Sequence, residues 1–490
     1  MSSSHTENKF YRNAKYSRRM ARDCVAGSDT IKRANVIYLP MPKGFNYISA
    51  PDSYEGIMRP ATAESDTDYM INSMPWFHSN EAYSSYLHRA RFPELVTLAR
   101  NGLVGIALQK KPVIKLPSVI SYLEEQAGKD DESLIEIYAE CIIEVLIAGN
   151  TSILVDIDVP KNQFFLNVVK AEVPIDWDEN SNDDCLSFLN LATKKVKRSQ
   201  EDIFKTDEEL INYVYFMIDD TPVLQKYIND VVDGDRVDLN LQGNKFTRIP
   251  VFPIGSLTNS MKPQPAPLAG LCEIALSIYR KDADLSNAQF MTCNPTFVIS
   301  GAEGEPNEAG ESNPIPHIQG SQVALILANP EAKAYYTNTD TSALDHVRTS
   351  IQDLFMEAMM YSASIVGQEK KAAEAFDTVK SRQNAQNATL INIVTNVAKA
   401  IKSSLKFCAE MHGSKEEIIF SGNTDFAEKT ISPQLLTALV QAWIARGLSL
   451  QTLLQNFKDA GILPKDSTVQ DELTLIAAEP PAPTDSSIVA

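Results

Sequence analysis

The stretch from Lys371 to His412 has the sequence KAAEAFDTVKSRQNAQNATLINIVTNVAKAIKSSLKFCAEMH and contains neither Gly nor Pro. Its apolar residues recur at spacings of four and three, which is the period of one face of an α-helix. These residues are Leu390, Val394, Val397, Ile401, Leu405 and Cys408. An unbroken helix of this length spans roughly 60 Å at 1.5 Å per residue. Since globular helices average about 11–12 residues, we expect the chain to be organised around this one.

A second long helix is predicted just before it. Ser342 followed by Asp345 resembles a capping box, which is typical of a helix start. The apolar residues that follow fall on one face, and they are Leu344, Val347, Ile351, Leu354, Phe355, Ala358 and Met359. Gly367 interrupts the helical pattern. The two helices are therefore predicted to be joined by a short break at this glycine.

A third helical stripe runs from Leu268 to Leu285 and is apolar except at Asp282. The residues between this stripe and the second helix, Pro295–Asp340, lack helical periodicity and contain a loop rich in Gly, Glu and Asn. Because this insert lies between two long helices, we expect it to project from the body of the protein.

Strands and shorter helices are predicted on both sides of these helices. β-Branched and aromatic runs bounded by turn formers predict strands at Ser152–Asp158, Phe164–Val169, Tyr213–Ile218, Val223–Asn229, Ile249–Gly255, Thr296–Ser300, Gln322–Leu327 and Glu417–Ser421. Helices are predicted at Asn80–Arg100 (ended by Gly102 and Gly105), Ser118–Gln126, Ser133–Ala148, Pro433–Arg446, Ser449–Ala460 and Asp471–Ala478. The short spacings within strand pairs favour antiparallel pairing, and the fold class is therefore predicted to be α+β.

Composition excludes several classes of protein. The 490 residues indicate two to four units, and a net charge of −18 argues against a general nucleic-acid coat, although DNA passing nearby without being held is compatible with it. The six Cys form no C-x-x-C pair, which indicates neither a disulfide framework nor a zinc knuckle. The N-terminus has charges but no apolar core, so no signal peptide is expected, and no segment is apolar enough to predict a membrane span.

The first 35 residues are locally basic, with eight Lys and Arg against three Asp and Glu. One interpretation is a solvated arm. The other is an arm that docks on a neighbouring acidic subunit or on nucleic acid.

Four stretches, taken in their order along the chain, resemble portal proteins of tailed bacteriophages, the head-to-tail connector family. The resemblance extends over about residues 79–478. The four stretches are Arg89-Ala90-Arg91-Phe92 with Lys111-Pro112 and Ile153-Leu154-Val155-Asp156; Pro267-Leu268-Ala269-Gly270-Leu271 with Tyr279-Arg280-Lys281-Asp282-Ala283-Asp284; the Gly367 break with Lys371-Ala372-Ala373-Glu374; and Asp425-Phe426 with Leu435-Leu436-Thr437-Ala438-Leu439 and Gly447-Leu448-Ser449. Their order is more specific than any single stretch.

The resemblance implies a portal-like subunit with an α/β wing, paired stem helices, a small clip insert, a long kinked helix and a helical crown. The implied division is an N-terminal arm at 1–35, the wing at 36–264, a stem helix at 265–292, the clip at 293–340, a second stem helix at 341–362, a tunnel loop at 363–370, the long helix at 371–412, a return to the wing at 413–431, the crown at 432–478 and a flexible tail at 479–490.

The resemblance also implies a function. Portal proteins form rings, usually dodecamers, at one capsid vertex, where they conduct double-stranded DNA during packaging and ejection. The implied partners are further copies of the chain, the terminase large subunit, neck or adaptor proteins, the major capsid protein and DNA, without a membrane. The implied location is the virion, and the host cytoplasm during assembly.

Two groups of site residues follow from the resemblance. The tunnel loop would bring Gly367, Gln368, Glu369, Lys370 and Lys371 to the DNA channel, although an ordinary helix–helix connection explains the same break. The clip would use a carboxylate-rich loop for partner docking, with Glu303, Glu305, Glu308 and Glu311.

No pattern of enzyme chemistry occurs in the sequence. The phosphate-binding G-x-x-x-x-G-K-[ST] loop is absent, as are G-x-S-x-G and H-E-x-x-H. Asp156 and Asp158 lie on one face of a strand, where a solvated face explains them better than a metal site. We therefore expect no catalytic residue, cofactor or metal. The rival interpretations are another ring-forming head–tail adaptor or scaffold protein, and an enzyme with an unrecognised site.

Overall fold

The computed structural model describes residues 6–41, 81–158, 160–179, 185–198, 204–241, 243–293, 296–300, 333–337, 342–366, 388–424, 426, 440–444, 447–459 and 469–478. The chain divides into two compact units, Met1–Thr424 and Asp425–Ala490.

The larger unit contains most of the helices. They are α1 (Lys9–Ala26), α2 (Ser28–Arg33), α3 (Glu81–Arg89), α4 (Leu95–Ala107), α5 (Leu134–Ala148), α6 (Ala269–Cys293), α7 (Ser342–Val366) and α8 (Ala388–Met411), with 3-10 turns at Asn35–Ile37 and Ser118–Glu124. The smaller unit contains α9 (Leu450–Asp459) and α10 (Val469–Ala478), which pack on each other.

All described strands lie in the larger unit. They are β1 (Val113–Lys115), β2 (Asn150–Asp158), β3 (Gln163–Val169), β4 (Pro174–Glu179), β5 (Leu186–Arg198), β6 (Thr206–Ile218), β7 (Thr221–Ile228), β8 (Val231–Val232), β9 (Val237–Asp238), β10 (Asn240–Leu241), β11 (Asn244–Lys245), β12 (Val251–Gly255), β13 (Thr296–Ser300), β14 (Lys333–Thr337) and β15 (Ile419–Ser421).

Antiparallel pairing organises these strands into separate sheets. One sheet has the order β12–β2–β3, and a larger one has the order β4–β5–β6–β7–β8, with β9 also paired to β7. The pairs β1–β15, β10–β11 and β13–β14 stand alone. The mixture of long helices and antiparallel sheets confirms the predicted α+β class.

Helix α8 lies at the centre of the larger unit. All six residues of its predicted apolar face, from Leu390 to Cys408, are at most 1% exposed. Near its C-terminal end, the Phe407 ring contacts Phe246 and Phe252 at centroid distances of 5.0 and 6.0 Å. The described helix begins at Ala388, so the predicted part from Lys371 to Asn387 lies outside the described residues.

Local sequence signals fix the ends of α5. The Ser133 hydroxyl accepts a hydrogen bond from the Glu136 backbone N–H, and the Glu136 side chain accepts one from the Ser133 N–H, which completes a capping box. Gly149 ends the helix with φ of +79°, and a Cβ there would lie 2.1 Å from the Gln264 carbonyl oxygen. Only glycine fits both the left-handed backbone and this close approach.

The structure differs from several boundary predictions. Helix α4 continues through Gly102 and Gly105 to Ala107, because neither glycine adopts a positive φ and isolated glycines in a helix are only mildly unfavourable. The strand that pairs with β13 is Lys333–Thr337, which was not predicted. The predicted strand Gln322–Leu327 lies outside the described residues.

Candidate functional site

Helices α6 and α7 form an antiparallel hairpin. Near one end, the Tyr361 hydroxyl donates a hydrogen bond to the Pro267 carbonyl at 3.0 Å. Further along, Lys281 Nζ donates to Ser350 Oγ. The chain then leaves α6 and re-enters α7 through the paired strands β13 and β14, with Thr296 opposite Thr337. The sequence correctly predicted two long helices separated by an insert that contains strands.

The polar residues on α6 attach this hairpin to α3 and the segment after it. Asp282 Oδ2 accepts a hydrogen bond from the Arg91 backbone N–H at 2.8 Å, which explains the one polar residue in the predicted stripe. Asp284 Oδ1 accepts from the Tyr86 hydroxyl at 2.6 Å. Burial, and then this hydrogen bond, raise the pKa of Tyr86. The hairpin is therefore held to the unit by directional polar contacts as well as by apolar packing.

Helix α7 buries only a narrow stripe of its surface. Ile351 and Ala358, seven residues apart, are 9% and 2% exposed. Phe355, Met356, Met359 and Met360 are 36%, 59%, 63% and 60% exposed. The sequence placed Phe355 and Met359 on the same apolar face as Ile351 and Ala358, and the structure shows that only the centre of this face is buried within the subunit. At 100° per residue the predicted set covers a wide arc, and α6 covers only its centre.

The basic N-terminal segment is a helix that packs on its own chain. Arg18 is 3% exposed and donates hydrogen bonds to the Ala171 carbonyl at 2.7 Å and to Asn150 Oδ1 at 2.9 Å. Arg22 bridges the Glu172 and Glu144 carboxylates, with an N–O distance of 2.6 Å to each. The interpretation of a solvated arm is therefore wrong for α1, because Arg18 and Arg22 bind carbonyl and carboxylate partners within the subunit.

Other contacts tie α1 to the body. The Tyr11 hydroxyl donates to the Glu172 carbonyl at 3.1 Å, and burial raises the pKa of Tyr11 to about 12. Cys24 in α1 and Cys272 in α6 are buried free thiols, and the neighbouring Cys272 together with burial raises the pKa of Cys24. Nothing in the sequence spacing could reveal this pair, because 247 residues separate the two cysteines. The outer face of α1 still presents Arg12 to solvent.

The predicted site residues lie outside the described residues. This applies to the tunnel-loop set Gly367, Gln368, Glu369, Lys370 and Lys371, and to the clip set Glu303, Glu305, Glu308 and Glu311. Both sets stay predictions. The elements that flank them are described: α7 ends at Val366, and β13 and β14 lie on the two sides of the predicted clip loop.

The candidate metal site at Asp156 and Asp158 has local partners. Asp156 Oδ1 accepts from the Ile157 backbone N–H at 2.8 Å, and Asp158 lies 3.6 Å from Lys161 Nζ. Within the described ranges, no group of three His, Cys, Asp or Glu residues is arranged to hold a metal ion. None of the helices in those ranges combines the length and the apolar character that crossing a bilayer requires.

Comparisons with known proteins give one family match. A family described as a domain of unknown function (DUF4055) matches residues 267–411. The matched segment runs from just before α6 to the end of α8, and it covers less than half of the chain. No curated protein matches the sequence.

Solved structures with a similar arrangement come from gene transfer agent (GTA) particles. The neck of the empty GTA particle, computed with C6 symmetry, contains a chain with TM-score 0.38 and 11% identity, covering 73% of this chain and 87% of that chain. A chain in the virion of the native particle has TM-score 0.38 and 12% identity, covering 75% of this chain and 91% of that chain. A chain in the neck of the native particle, computed with C12 symmetry, has TM-score 0.36 and 12% identity, covering 79% of this chain and 90% of that chain.

Proposed function

We propose that this chain is the subunit of a portal ring at one vertex of a phage-like capsid. The ring would conduct double-stranded DNA during packaging and ejection, and it would dock the terminase and the neck or tail proteins. The observation that carries the proposal is the α6–α7 hairpin, which ends in the β13–β14 strands and exposes apolar side chains along α7. The resemblance to portal proteins, carried by the order of four stretches along the sequence, supports the proposal independently.

The exposed side of α7 favours assembly. Monomeric soluble proteins rarely expose a contiguous cluster of large apolar side chains, yet Phe355, Met356, Met359 and Met360 lie within two turns of one helix. Methionine is common at adaptable contact surfaces because its side chain is flexible and polarisable. In a ring, every copy has a neighbour on each side, and the exposed side of α7 would pack against one of them.

In this proposal the chain performs no catalysis. The terminase would hydrolyse ATP, and the ring would serve as a conduit and a docking platform. The net charge of −18 suits a channel that must not grip its cargo. Lys370 and Lys371 would make weak phosphate contacts while Glu369 limits them, and the four clip glutamates would face the packaging motor.

The second candidate is another ring-forming head–tail adaptor or scaffold protein. The same hairpin and the same exposed methionines serve an adaptor equally well. The two candidates differ in timing, because a portal must be present before DNA enters the capsid, whereas an adaptor joins a filled head. Assembly of capsids with and without the chain, followed by DNA packaging with purified terminase, separates them.

The first test is the mass of the purified protein. Twelve chains of 54.2 kDa come to about 650 kDa. We expect light scattering after size exclusion to give a mass in this range, and images along the particle axis to show a ring with a central channel. A stable monomer at micromolar concentration would overturn the proposal. If heads assembled without the chain still package DNA, the chain is not the portal, and the adaptor function replaces the proposed one.

A further inference from the structure

Strands β5 and β6 extend beyond the sheet that contains them. Their pairing runs from Phe188 opposite Phe216 to Arg198 opposite Thr206. On the outer sides, however, β4 pairs with β5 only as far as Leu191, and β7 pairs with β6 only from Ile211 onward. Residues 193–198 and 206–210 therefore form a two-stranded ribbon, and no other described strand pairs with either of its edges.

The two edges of this ribbon carry opposite charge. The β5 edge contains Lys194, Lys195, Lys197 and Arg198, all exposed, together with Val196, which is 60% exposed. The β6 edge contains Asp207, Glu208 and Glu209. An edge strand presents backbone N–H and C=O groups that can hydrogen-bond to another strand. The ribbon therefore offers one basic and one acidic docking edge.

We propose that the ribbon joins neighbouring copies of this chain edge to edge, with the basic β5 edge of one copy paired to the acidic β6 edge of the next. Charge complementarity selects this partner. Pairing two β5 edges would bring eight positive charges together, and pairing two β6 edges would bring together six negative ones. Like charges on adjacent strands are destabilising, whereas opposite charges stabilise the pair.

The strand directions make this contact compatible with rotational symmetry. Within one chain, β5 and β6 are antiparallel. When two ribbons lie side by side and point the same way, β5 of one is also antiparallel to β6 of the other. The result is a continuous antiparallel sheet across subunits. Such a head-to-tail contact uses a different surface on each partner, and it closes into a ring when the rotation allows.

Charge pairs within the ribbon leave capacity for a neighbour. Lys197 Nζ lies 2.6 Å from Glu209 Oε2, and Lys194 Nζ lies 3.6 Å from Glu208 Oε2. An ammonium group has three donors and a carboxylate accepts several hydrogen bonds, so these intrachain pairs do not saturate the edges. The competing explanation is that the charges only protect the edges from aggregation. In that case, reversing the charges would not weaken the assembly of the ring.

The inference rests on the proposed function in one respect, because both require the chain to associate with itself. The test uses charge reversal in the full-length protein. Lys195 pairs with Glu209 and Lys197 pairs with Asp207, so these four side chains share one face of the ribbon. The first variant carries Lys195→Glu with Lys197→Glu and makes both strands acidic on that face. The second carries Asp207→Lys with Glu209→Lys and makes both strands basic on that face. A third combines all four substitutions and exchanges the charges of the two strands on that face. Lys129→Glu with Lys161→Glu, two exposed lysines outside the ribbon, matches the first variant in net charge.

Association is measured by light scattering over a concentration series, and folding by circular dichroism on the same samples. We expect the first and second variants, each alone, to need at least a tenfold higher concentration than the parent for half-assembly. Mixed together, the two variants should assemble like the parent, because on that face a contact between the two variants joins an acidic strand to a basic one. The four-substitution variant should assemble by itself, and the Lys129 and Lys161 control should match the parent.

Recovery in the mixture cannot come from a misfolded ribbon, so it separates docking from a loss of fold. If the parent assembles and both single-edge variants assemble equally well, the edge-to-edge contact is wrong while the ring stands. Failure of the mixture to recover assembly also overturns the contact. A parent that stays monomeric overturns both the contact and the ring.

Discussion

Gly270 lies against the ring of Tyr361, and a Cβ atom at this glycine would come within 2.7 Å of Tyr361 Cε2. Eleven residues further along α6, Lys281 contacts Ser350, which is eleven residues before Tyr361. Eleven residues make about three helical turns, so both contacts lie on the same face of each helix. The register of the hairpin is therefore set where the helices approach most closely.

The first prediction is that Gly270→Ala destabilises the hairpin. The new methyl group would overlap the Tyr361 ring, and overpacking of this kind costs about 1–3 kcal/mol. Denaturant unfolding measures the loss. Gly102→Ala is the matched control, because nothing lies within 4 Å of its Cβ position and alanine in a helix should stabilise by about 0.5–1 kcal/mol. If both variants lose stability equally, the close approach does not limit this position.

The second prediction concerns Arg22, which bridges two carboxylates. Arg22→Ala leaves Glu144, which is only 4% exposed, without its cation. Removing one partner of a buried pair costs about 3–5 kcal/mol, and because Arg22 is partly exposed we expect about 3 kcal/mol in the unfolding free energy. Arg12→Ala, on the exposed face of the same helix, should change stability little. Equal effects of the two substitutions would contradict the bridge.

Periodicity in the sequence was sufficient to identify α5 and the described part of α8. Both helices are covered on several sides, so their apolar residues became the core. In α7 the same periodicity placed Phe355 and Met359 on the apolar face, yet both are exposed. Periodicity shows which residues share a face, but not how much of that face the rest of the subunit covers. An assembly surface and a core surface have the same pattern.

The strand β5 and the docking of α1 were missed for different reasons. The sequence Lys194-Lys195-Val196-Lys197-Arg198 lacks the alternation of a half-buried strand, because both faces of the ribbon are exposed. The basic residues of α1 looked like a solvated segment, because their partners Glu144 and Glu172 are more than 120 residues away in sequence. Neither the exposed end of β5 nor the docking of α1 produces a recognisable pattern in the neighbouring sequence.

The third prediction tests the apolar side of α7. Met356→Lys with Met359→Lys should weaken self-association at least tenfold, which corresponds to about 1.4 kcal/mol. The reason is that two methionine side chains desolvated in the contact would be replaced by two charged ones. The monomer fold should persist, since both residues are already about 60% exposed. Sedimentation velocity gives the association, and circular dichroism gives the fold. Leu98→Lys with Leu257→Lys adds the same charge at two exposed apolar positions outside α7 and serves as the control. Parent-like assembly of the methionine variant would remove α7 from the interface.

The last prediction is a pH dependence that originates at His412, just after α8. Its ring contacts Phe164 edge-on at 5.3 Å, and its Nε2 is a buried atom without a hydrogen-bond partner among the described residues. Burial lowers the pKa of His412 below its ordinary value of 6.5. Below pH 6.5 His412 therefore binds more protons in the unfolded chain than in the folded one, and its contribution to the free energy of unfolding falls as the pH falls. His412→Phe removes this titration, so we expect its stability to decline less than that of the parent between pH 7.5 and 5.5. Urea unfolding at both values, analysed as the difference between the two proteins, isolates the contribution because all other titrating groups are shared. An equal decline in both proteins would show that His412 is accommodated in its charged form.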